Sequence, residues 1–409
     1  MNIVYDHQIF TLQKYGGISR YFVELAKAIE AEAETETKTE TELAKIKIII
    51  NAYITDNQHL NDLKSSNLID INYNQQHLPV INFLQKNLKD FRYQKKIFSF
   101  VNQQLAKKYI VKSTTSSSRF IYHPTYYNPY FLTDLGKTPF VLTVYDMIHE
   151  IYPHFFSKND KAKEHKKILL HKANKIIAIS HSTKQDLLKI YSDLDENKIQ
   201  VIHLGPPNLK SKKTNTNIGI SFLSSLPNRY ILFVGQRDRY KNFNLFLKAI
   251  SSLLLNEKEN LSLVCAGGGE FTKEERNLFS SFGNSINNKI VYYSVNDESL
   301  HYLYKNAICF VFPSLYEGFG IPVLEAFDAG TPVVLSNCSS LPEIAGKAAA
   351  CYFDPIDTTS ILNAVTKVCH DKNLRIQMIK EGFEQLKNFS WKKTAKETLN
   401  IYKNLCTKF

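Results

Sequence analysis

Three things are scarce in this 409-residue chain: long apolar runs, cysteine in the first half, and acidic residues relative to basic ones. No apolar run approaches the ~20 residues of a membrane span. Met1 to Tyr5 reads as a strand rather than the charged start of a secretion signal, so a cytoplasmic protein is expected. The six cysteines, Cys265, Cys309, Cys338, Cys351, Cys369 and Cys406, all lie in the second half without a C-x-x-C pair or metal-ligand spacing. That pattern excludes a disulfide framework and leaves reduced packing residues. Asp and Glu number 39 against 51 Lys and Arg, a formal net charge of +12. Such a balance asks for an anionic partner: a membrane, a nucleic acid or a phosphorylated substrate. Zinc-finger, RNP and basic-zipper patterns are missing, so nucleic acid is not an expected partner.

Several motifs are incomplete. Gly136-Lys137-Thr138 ends like a phosphate-binding loop, but Phe131 stands where its leading glycine is required. His149-Glu150-Ile151-Tyr152-Pro153-His154 is one residue too long for a metalloprotease helix, and Pro153 breaks the turn, so no metal is expected. Gly16-Gly17 lacks the full dinucleotide fingerprint. Gly267-Gly268-Gly269 is an isolated run, most simply a turn after a strand.

What is present is an alternation of strands and helices in two halves, with 44% apolar residues to build cores. The first half predicts strands at Asn2 to Tyr5, Ile46 to Asn51, Phe120 to Tyr122, Phe140 to Val144 and Lys175 to Ile179. The second predicts them at Tyr230 to Val234, Ser262 to Ala266, Lys289 to Tyr293, Ala307 to Phe312 and Pro332 to Leu335. The fold class is therefore α/β, with two doubly wound parallel sheets facing a central cleft. Polar, proline-led Pro206 to Ile218 reads as a linker, and Ala31 to Lys45 as a low-complexity surface insertion or helix extension without chemistry. The division is 1–207, a linker at 208–220, 221–388, and a last segment at 389–409.

Basic and aromatic residues interleave from Phe83 to Lys108. Two readings stand: a surface for an anionic bilayer, or a solvated helix whose aromatics enter the core.

The stretch SLYEGFGIPVLEAFDAGTPVV puts Glu317 and Glu325 eight positions apart around Gly318, Gly320 and a helix start at Pro322. Backbone N–H groups at such a start suit phosphate or sugar oxygens, and the carboxylates suit hydroxyls. A solvated acidic helix entry explains the bare spacing equally well. After the strand ending at Val234, Gly235-Gln236-Arg237-Asp238-Arg239-Tyr240-Lys241-Asn242 forms a cationic loop. Arg237 and Lys241 suit a diphosphate, whose departure from a sugar builds negative charge that fixed cations stabilise. A basic surface turn is the competing reading.

Together with YGGISRYFVEL, YHPTYY, TVYDMIHE, AISHSTKQDL, CAGGGEF, SSLPEIAGKAA and FSWKKTAKETL, these stretches resemble glycosyltransferase family 4 nearly end to end. That family is retaining and has the GT-B fold of two Rossmann-like domains. The resemblance implies an acceptor-side first domain, a nucleotide-sugar-binding second domain and a terminal helix returning to the first. It implies Glu325 at the nucleotide ribose, Glu317 at the donor sugar, and Arg237 and Lys241 at the diphosphate. Gly16 and Gly17 fall near the donor phosphates, and the amides of Gly318, Phe319 and Gly320 near sugar or phosphate. Asp146 and His149 are assigned to positioning the acceptor or donor sugar. Here the sequence departs from the family, because Tyr145 stands where many members carry histidine.

The implied activity is metal-independent hexosyl transfer, without a cofactor, from a nucleoside-diphosphate sugar to a glycan or lipid-linked acceptor. The resemblance leans towards O-antigen or capsule mannosyltransferases, peripheral on the inner face of the plasma membrane. The alternatives are a nucleotide-sugar epimerase of the same fold and a non-catalytic, membrane-associated nucleotide-sugar-binding protein. A glycoside hydrolase leaves the cationic loop without a role.

Overall fold

The computed structural model describes residues 1–36, 46–61, 63, 65–72, 91–116, 119–207, 225–237 and 239–407. The expected linker at 208–220, residues 37–45 of the low-complexity stretch and residues 83–90 of the basic aromatic stretch lie outside the described residues.

In the first lobe, β1 (Asn2–Tyr5), β2 (Lys47–Ile50), β3 (Ile69–Ile71) and β4 (Phe120–His123) run in the order β3-β2-β1-β4. A parallel bridge from Tyr122 to Phe140 links them to β5 (Val141–Val144), β6 (Lys175–Ala178) and β7 (Ile199–Val201), ordered β5-β6-β7. The second lobe is one sheet of β8 (Tyr230–Val234), β9 (Ser262–Ala266), β10 (Ile290–Tyr293), β11 (Cys309–Phe312), β12 (Val333–Ser336) and β13 (Ala350–Phe353). Its order is β10-β9-β8-β11-β12-β13. The pairings are parallel, as βαβ crossovers dictate. Helices cover both faces, so central strands such as CFVF and VVLS are buried throughout and read as unbroken apolar runs.

Strand order reverses between β1 and β4 in the first lobe and between β8 and β11 in the second. Crevices beyond the carboxyl ends of strands at such switch points receive ligands in open sheets. The cationic loop leaves β8, and the Glu317 to Glu325 stretch leaves the adjacent β11. Gly16-Gly17 follows β1 and Tyr145-Asp146 follows β5. Topology thus brings four separate segments to one cleft.

The last helix, Trp391–Cys406, packs on helix Gly17–Glu36 and β4 of the first lobe. Tyr402 Oη lies 2.6 Å from His123 Nδ1 and 3.3 Å from Tyr5 Oη. Trp391 Nε1 donates to the Pro206 carbonyl at 3.0 Å, and Gly205 packs so tightly that an added Cβ would lie 2.3 Å from Trp391 N. Residues 31–36 continue the helix Gly17–Glu36, and Glu32 meets Lys392 and Lys396 of the last helix.

Helix Phe91–Thr115 carries the described part of the basic aromatic stretch. Its aromatics divide: Phe98 is buried beside Ile54, whereas Phe100 is 63% exposed. Among the described residues, no helix is long and apolar enough to cross a membrane.

Candidate functional site

The loop Glu317 to Gly320 is pinned through its carbonyls. Ser340 Oγ donates toward the carbonyls of Glu317 (2.8 Å) and Phe319 (2.9 Å), and Ser180 Oγ of the first lobe lies 2.7 Å from the Gly318 carbonyl. In a trans peptide the next N–H lies in the same plane as the carbonyl and points the opposite way. The amides of Gly318, Phe319 and Gly320 therefore turn away from these clamps at the start of helix Ile321–Ala329. Gly320 has φ +106°, which favours glycine. At Gly318 an added Cβ would lie 1.7 Å from the Tyr145 carbonyl oxygen and 3.0 Å from Asp146 Cβ, so only glycine lets the two lobes meet there.

Lys241 Nζ lies 2.6 Å from Glu317 Oε1, joining the cationic loop to the carboxylate motif. Both side chains are largely buried, at 17% and 13% exposure. The ammonium also sits 5.1 Å from the Phe312 ring, and Leu315 N donates to the Tyr240 carbonyl at 2.7 Å. These contacts fix the two segments in register.

Arg237 requires a correction. Instead of facing a diphosphate beside Lys241, its guanidinium is turned into the lobe, where Nε pairs with Glu275 Oε1 at 2.7 Å. Nη1 donates to the Gly267 carbonyl (3.0 Å), and Nη2 to those of Gly269 (2.8 Å) and Glu270 (3.1 Å). Gly267, Gly268 and Gly269 all have positive φ, and a Cβ on Gly268 would lie 2.6 Å from the Gly235 carbonyl oxygen. The glycine run wraps its carbonyls around Arg237, a structural role that consumes the donors a phosphate would need.

Glu325 is buried. Tyr304 Oη donates to its Oε2 at 2.9 Å, and Arg20 Nη1 of the first lobe stands 3.6 Å from Oε1. Burial pushes this carboxyl up, and Arg20 and the Tyr304 hydrogen bond pull against that shift. Burial, reinforced by Glu325, raises the Tyr304 phenol and keeps it a donor. Gly17 approaches the same helix: a Cβ there would lie 3.6 Å from Ile321 Cδ1. Gly16 sits against the Gln13 side chain, which accepts from Ser19 N and fixes the helix entry.

Asp146 lies beside Gly318 at the lobe junction, and its Oδ1 accepts from Ile148 N at 3.0 Å. Beneath it is Lys166, wholly buried, which donates to the Asp146 carbonyl (2.8 Å) and pairs with Glu150 (3.0 Å). Tyr316 Oη accepts from Met147 N and donates to Asp186, tying the loop to the second lobe. Tyr145 turns its hydroxyl inward to the Thr125 carbonyl at 3.2 Å. His149 stacks on Phe156 with ring centroids 4.0 Å apart, and its Nε2 is 3.6 Å from Asp160 Oδ2. Burial lowers its pKa, so the imidazole is neutral near neutral pH. Asp160 in turn helps to line a cavity of about 300 Å³ with His7, Gln8, Tyr126, Asn128 and His165, inside the first lobe.

The structure therefore brings together Glu317, Lys241, Gly318, Phe319, Gly320 and Asp146, with Gly17 against Ile321 at the helix start and Glu325 one helical turn further along. It places Arg237 in a structural cage and His149 in an aromatic stack. Arg20, Tyr304, Lys166 and Glu150 were not anticipated. Arg20 lies inside the YGGISRYF stretch, but its partners are 277 and 305 positions away.

Among the described residues, His181, His203 and Glu343 have metal-ligand-type atoms within 4.8 Å of one another. The Glu343 carboxylate is already engaged by His203 Nε2 (2.6 Å) and by the amides of His181 (2.8 Å) and Ser182 (3.0 Å), an anion at a helix start. The group reads as a latch between the lobes.

Residues 221–385 match the family described as glycosyl transferases group 1. An uncharacterised glycosyltransferase of Methanocaldococcus jannaschii is 32% identical over 239 residues, 56% of this chain and 59% of that protein. The O-antigen chain mannosyltransferase B of Escherichia coli is 35% identical over 178 residues, 43% of this chain and 46% of that protein. The chain thus spans about half the length of the curated relatives it matches. Among solved structures, the sucrose-phosphate synthase of Thermosynechococcus elongatus superposes with a TM-score of 0.68 at 17% identity, covering 100% of this chain and 99% of that one. The second lobe of this chain is a glycosyl transferases group 1 domain, and the chain as a whole has the GT-B fold.

Proposed function

We propose that the protein is a retaining, metal-independent hexosyltransferase that moves a sugar, with mannose from GDP-mannose the first candidate, from a nucleoside diphosphate to a hydroxyl of a glycan or lipid-linked glycan. The observation that carries the reading is the Lys241–Glu317 pair at 2.6 Å beside a glycine turn whose amides face away from their clamps. As the bond from the anomeric carbon to the diphosphate breaks, positive charge grows on the sugar and negative charge on the leaving phosphate. Lys241 stabilises the phosphate, and the amides of Phe319 and Gly320 assist as fixed dipoles. Glu317, held by the ammonium, faces the donor sugar, while Glu325 accepts from the ribose hydroxyls. We favour front-face departure, with the acceptor oxygen bonding to the anomeric carbon as the leaving phosphate takes the acceptor's proton, and Glu317, one oxygen of which is held by Lys241, as an electrostatic partner of the sugar. Asp146, beside Gly318, orients the acceptor or donor sugar.

The mannose assignment rests on the names of the relatives, which include an O-antigen chain mannosyltransferase. A membrane-linked acceptor is favoured by Leu12, Tyr15 and Phe100 of the first lobe, at 50%, 67% and 63% exposure, in a chain of net charge +12.

The test is incubation with GDP-mannose, UDP-glucose or dTDP-rhamnose, with and without a mannose-terminated oligosaccharide and with a chelator present. Acceptor-dependent nucleotide release with retained anomeric configuration, unaffected by the chelator, is expected. Donor conversion without acceptor would mark an epimerase instead.

A further inference from the structure

The first lobe reaches into the second lobe's carboxylate site through one side chain. Helix Gly17–Glu36 and helix Ile321–Ala329 approach each other at their starts, where Gly17 meets Ile321. One turn further along each helix stand Arg20 and Glu325. The Arg20 guanidinium is 17% exposed and forks: Nη2 lies 2.7 Å from Asp297 Oδ1, and Nη1 lies 3.6 Å from Glu325 Oε1. Both partners belong to the second lobe. Tyr304 supports the other oxygen of Glu325, so Oε1 is the edge that faces the first lobe.

We propose that Arg20 is a positioning residue for nucleotide binding, holding Glu325 in its ionised form towards the ribose diol and tying closure of the lobes to that contact. The inference rests on the donor-site reading above. A carboxylate accepts from two hydroxyls, whereas a protonated carboxyl presents a donor of its own, so the charge on Glu325 decides what it can grip. Burial favours the neutral acid, and Arg20 is the largest influence opposing it. The charged and titratable groups around the pair are Asp297, which works against ionisation of Glu325, Tyr304, which donates to it, and Glu24, on the helix of Arg20. Without Arg20, Glu325 ionises only at higher pH.

The experiment measures binding of GDP, UDP and dTDP by calorimetry across the neutral pH range, each against its 2′,3′-dideoxy counterpart where the base carries ribose, for the full chain and for Arg20→Gln and Arg20→Lys. The natural chain is expected to prefer the ribose form, with little dependence on pH. Arg20→Gln should weaken ribonucleotide binding by about ten- to a hundredfold near neutrality, as for loss of a charge-assisted contact. It should also lose most of the ribose preference and regain affinity as pH rises. Arg20→Lys, which keeps the charge, should restore most of the affinity and serves as the check on folding. Unchanged ribose preference and a flat pH profile in Arg20→Gln would overturn the role of Arg20 while leaving the donor-site reading intact. Failure of the natural chain to bind any of the nucleoside diphosphates would overturn both.

Discussion

Arg237 and Lys241 stand four positions apart in one loop, and each is paired with a glutamate, yet the two pairs do different work. The Arg237 guanidinium is 3% exposed, sits between Glu275 and three loop carbonyls, and stacks 4.8 Å from the Phe271 ring. Lys241 meets one carboxylate, at the edge of the cleft. A planar fork of donors suits a cage of fixed carbonyls, whereas a compact ammonium on a flexible stem can pass from a carboxylate to an incoming phosphate. One cation builds the loop, and the other is presented by it.

The comparison is most severely broken at its structural end. Arg237→Leu should cost about 3–5 kcal/mol, because it leaves Glu275 and the glycine-run carbonyls without their buried partner. Urea denaturation checks the loss, and the specific activity of the molecules that remain folded should change little. Lys241→Ala has the opposite profile: a smaller loss of stability than Arg237→Leu, but kcat lower by about 10²–10³. A Lys241→Ala protein with undiminished turnover would remove the diphosphate role. Gly318→Ala leaves both cations in place and drives a methyl group against the Tyr145 carbonyl. It should cost about 1–3 kcal/mol of interlobe packing and reduce activity, seen as a more open form in small-angle scattering.

The smallest effect belongs to a pair that touches neither cation. Burial of Glu343 is outweighed by His203 and the His181 and Ser182 amides, so its carboxyl lies below its ordinary value of 4.5. Its stabilising contribution is complete above that ordinary value and is lost as pH falls through the lower, folded one. Glu343→Gln should cost about 1 kcal/mol at neutrality and flatten this segment of the stability profile in acid.

The strands that were legible are those whose burial on both faces produces an apolar run, such as Tyr230–Val234 and Ser262–Ala266. Ile69–Ile71, Ile199–Val201 and Ala350–Phe353 escaped notice because IDI, IQV and ACYF are short and lie toward sheet ends, where half-exposed positions interrupt the pattern. In the site, the contiguous Glu317 to Glu325 stretch carries its glycines, proline and carboxylates together and could be read directly. Tyr240, standing where the family often has arginine, already made Lys241 the safer diphosphate residue, but the inward turn of Arg237 could not be read, because it depends on the carbonyls from Gly267 to Glu270 lying opposite. Nor was Lys166 legible. A lysine in a basic helix reads as solvated, and only the fold sets it under Asp146 against Glu150.

The contact between Gly205 and Trp391 has a mechanical consequence. The chain leaves the first lobe just after Gly205 and re-enters it at Trp391, and these two crossings touch at one point, joined by the bond from Trp391 to the Pro206 carbonyl. Two straps set far apart would hold the lobes rigid, and one alone would let them twist freely. Gathered at one place, the two crossings share a single fastening, so a side chain larger than glycine at position 205 would strain both at once.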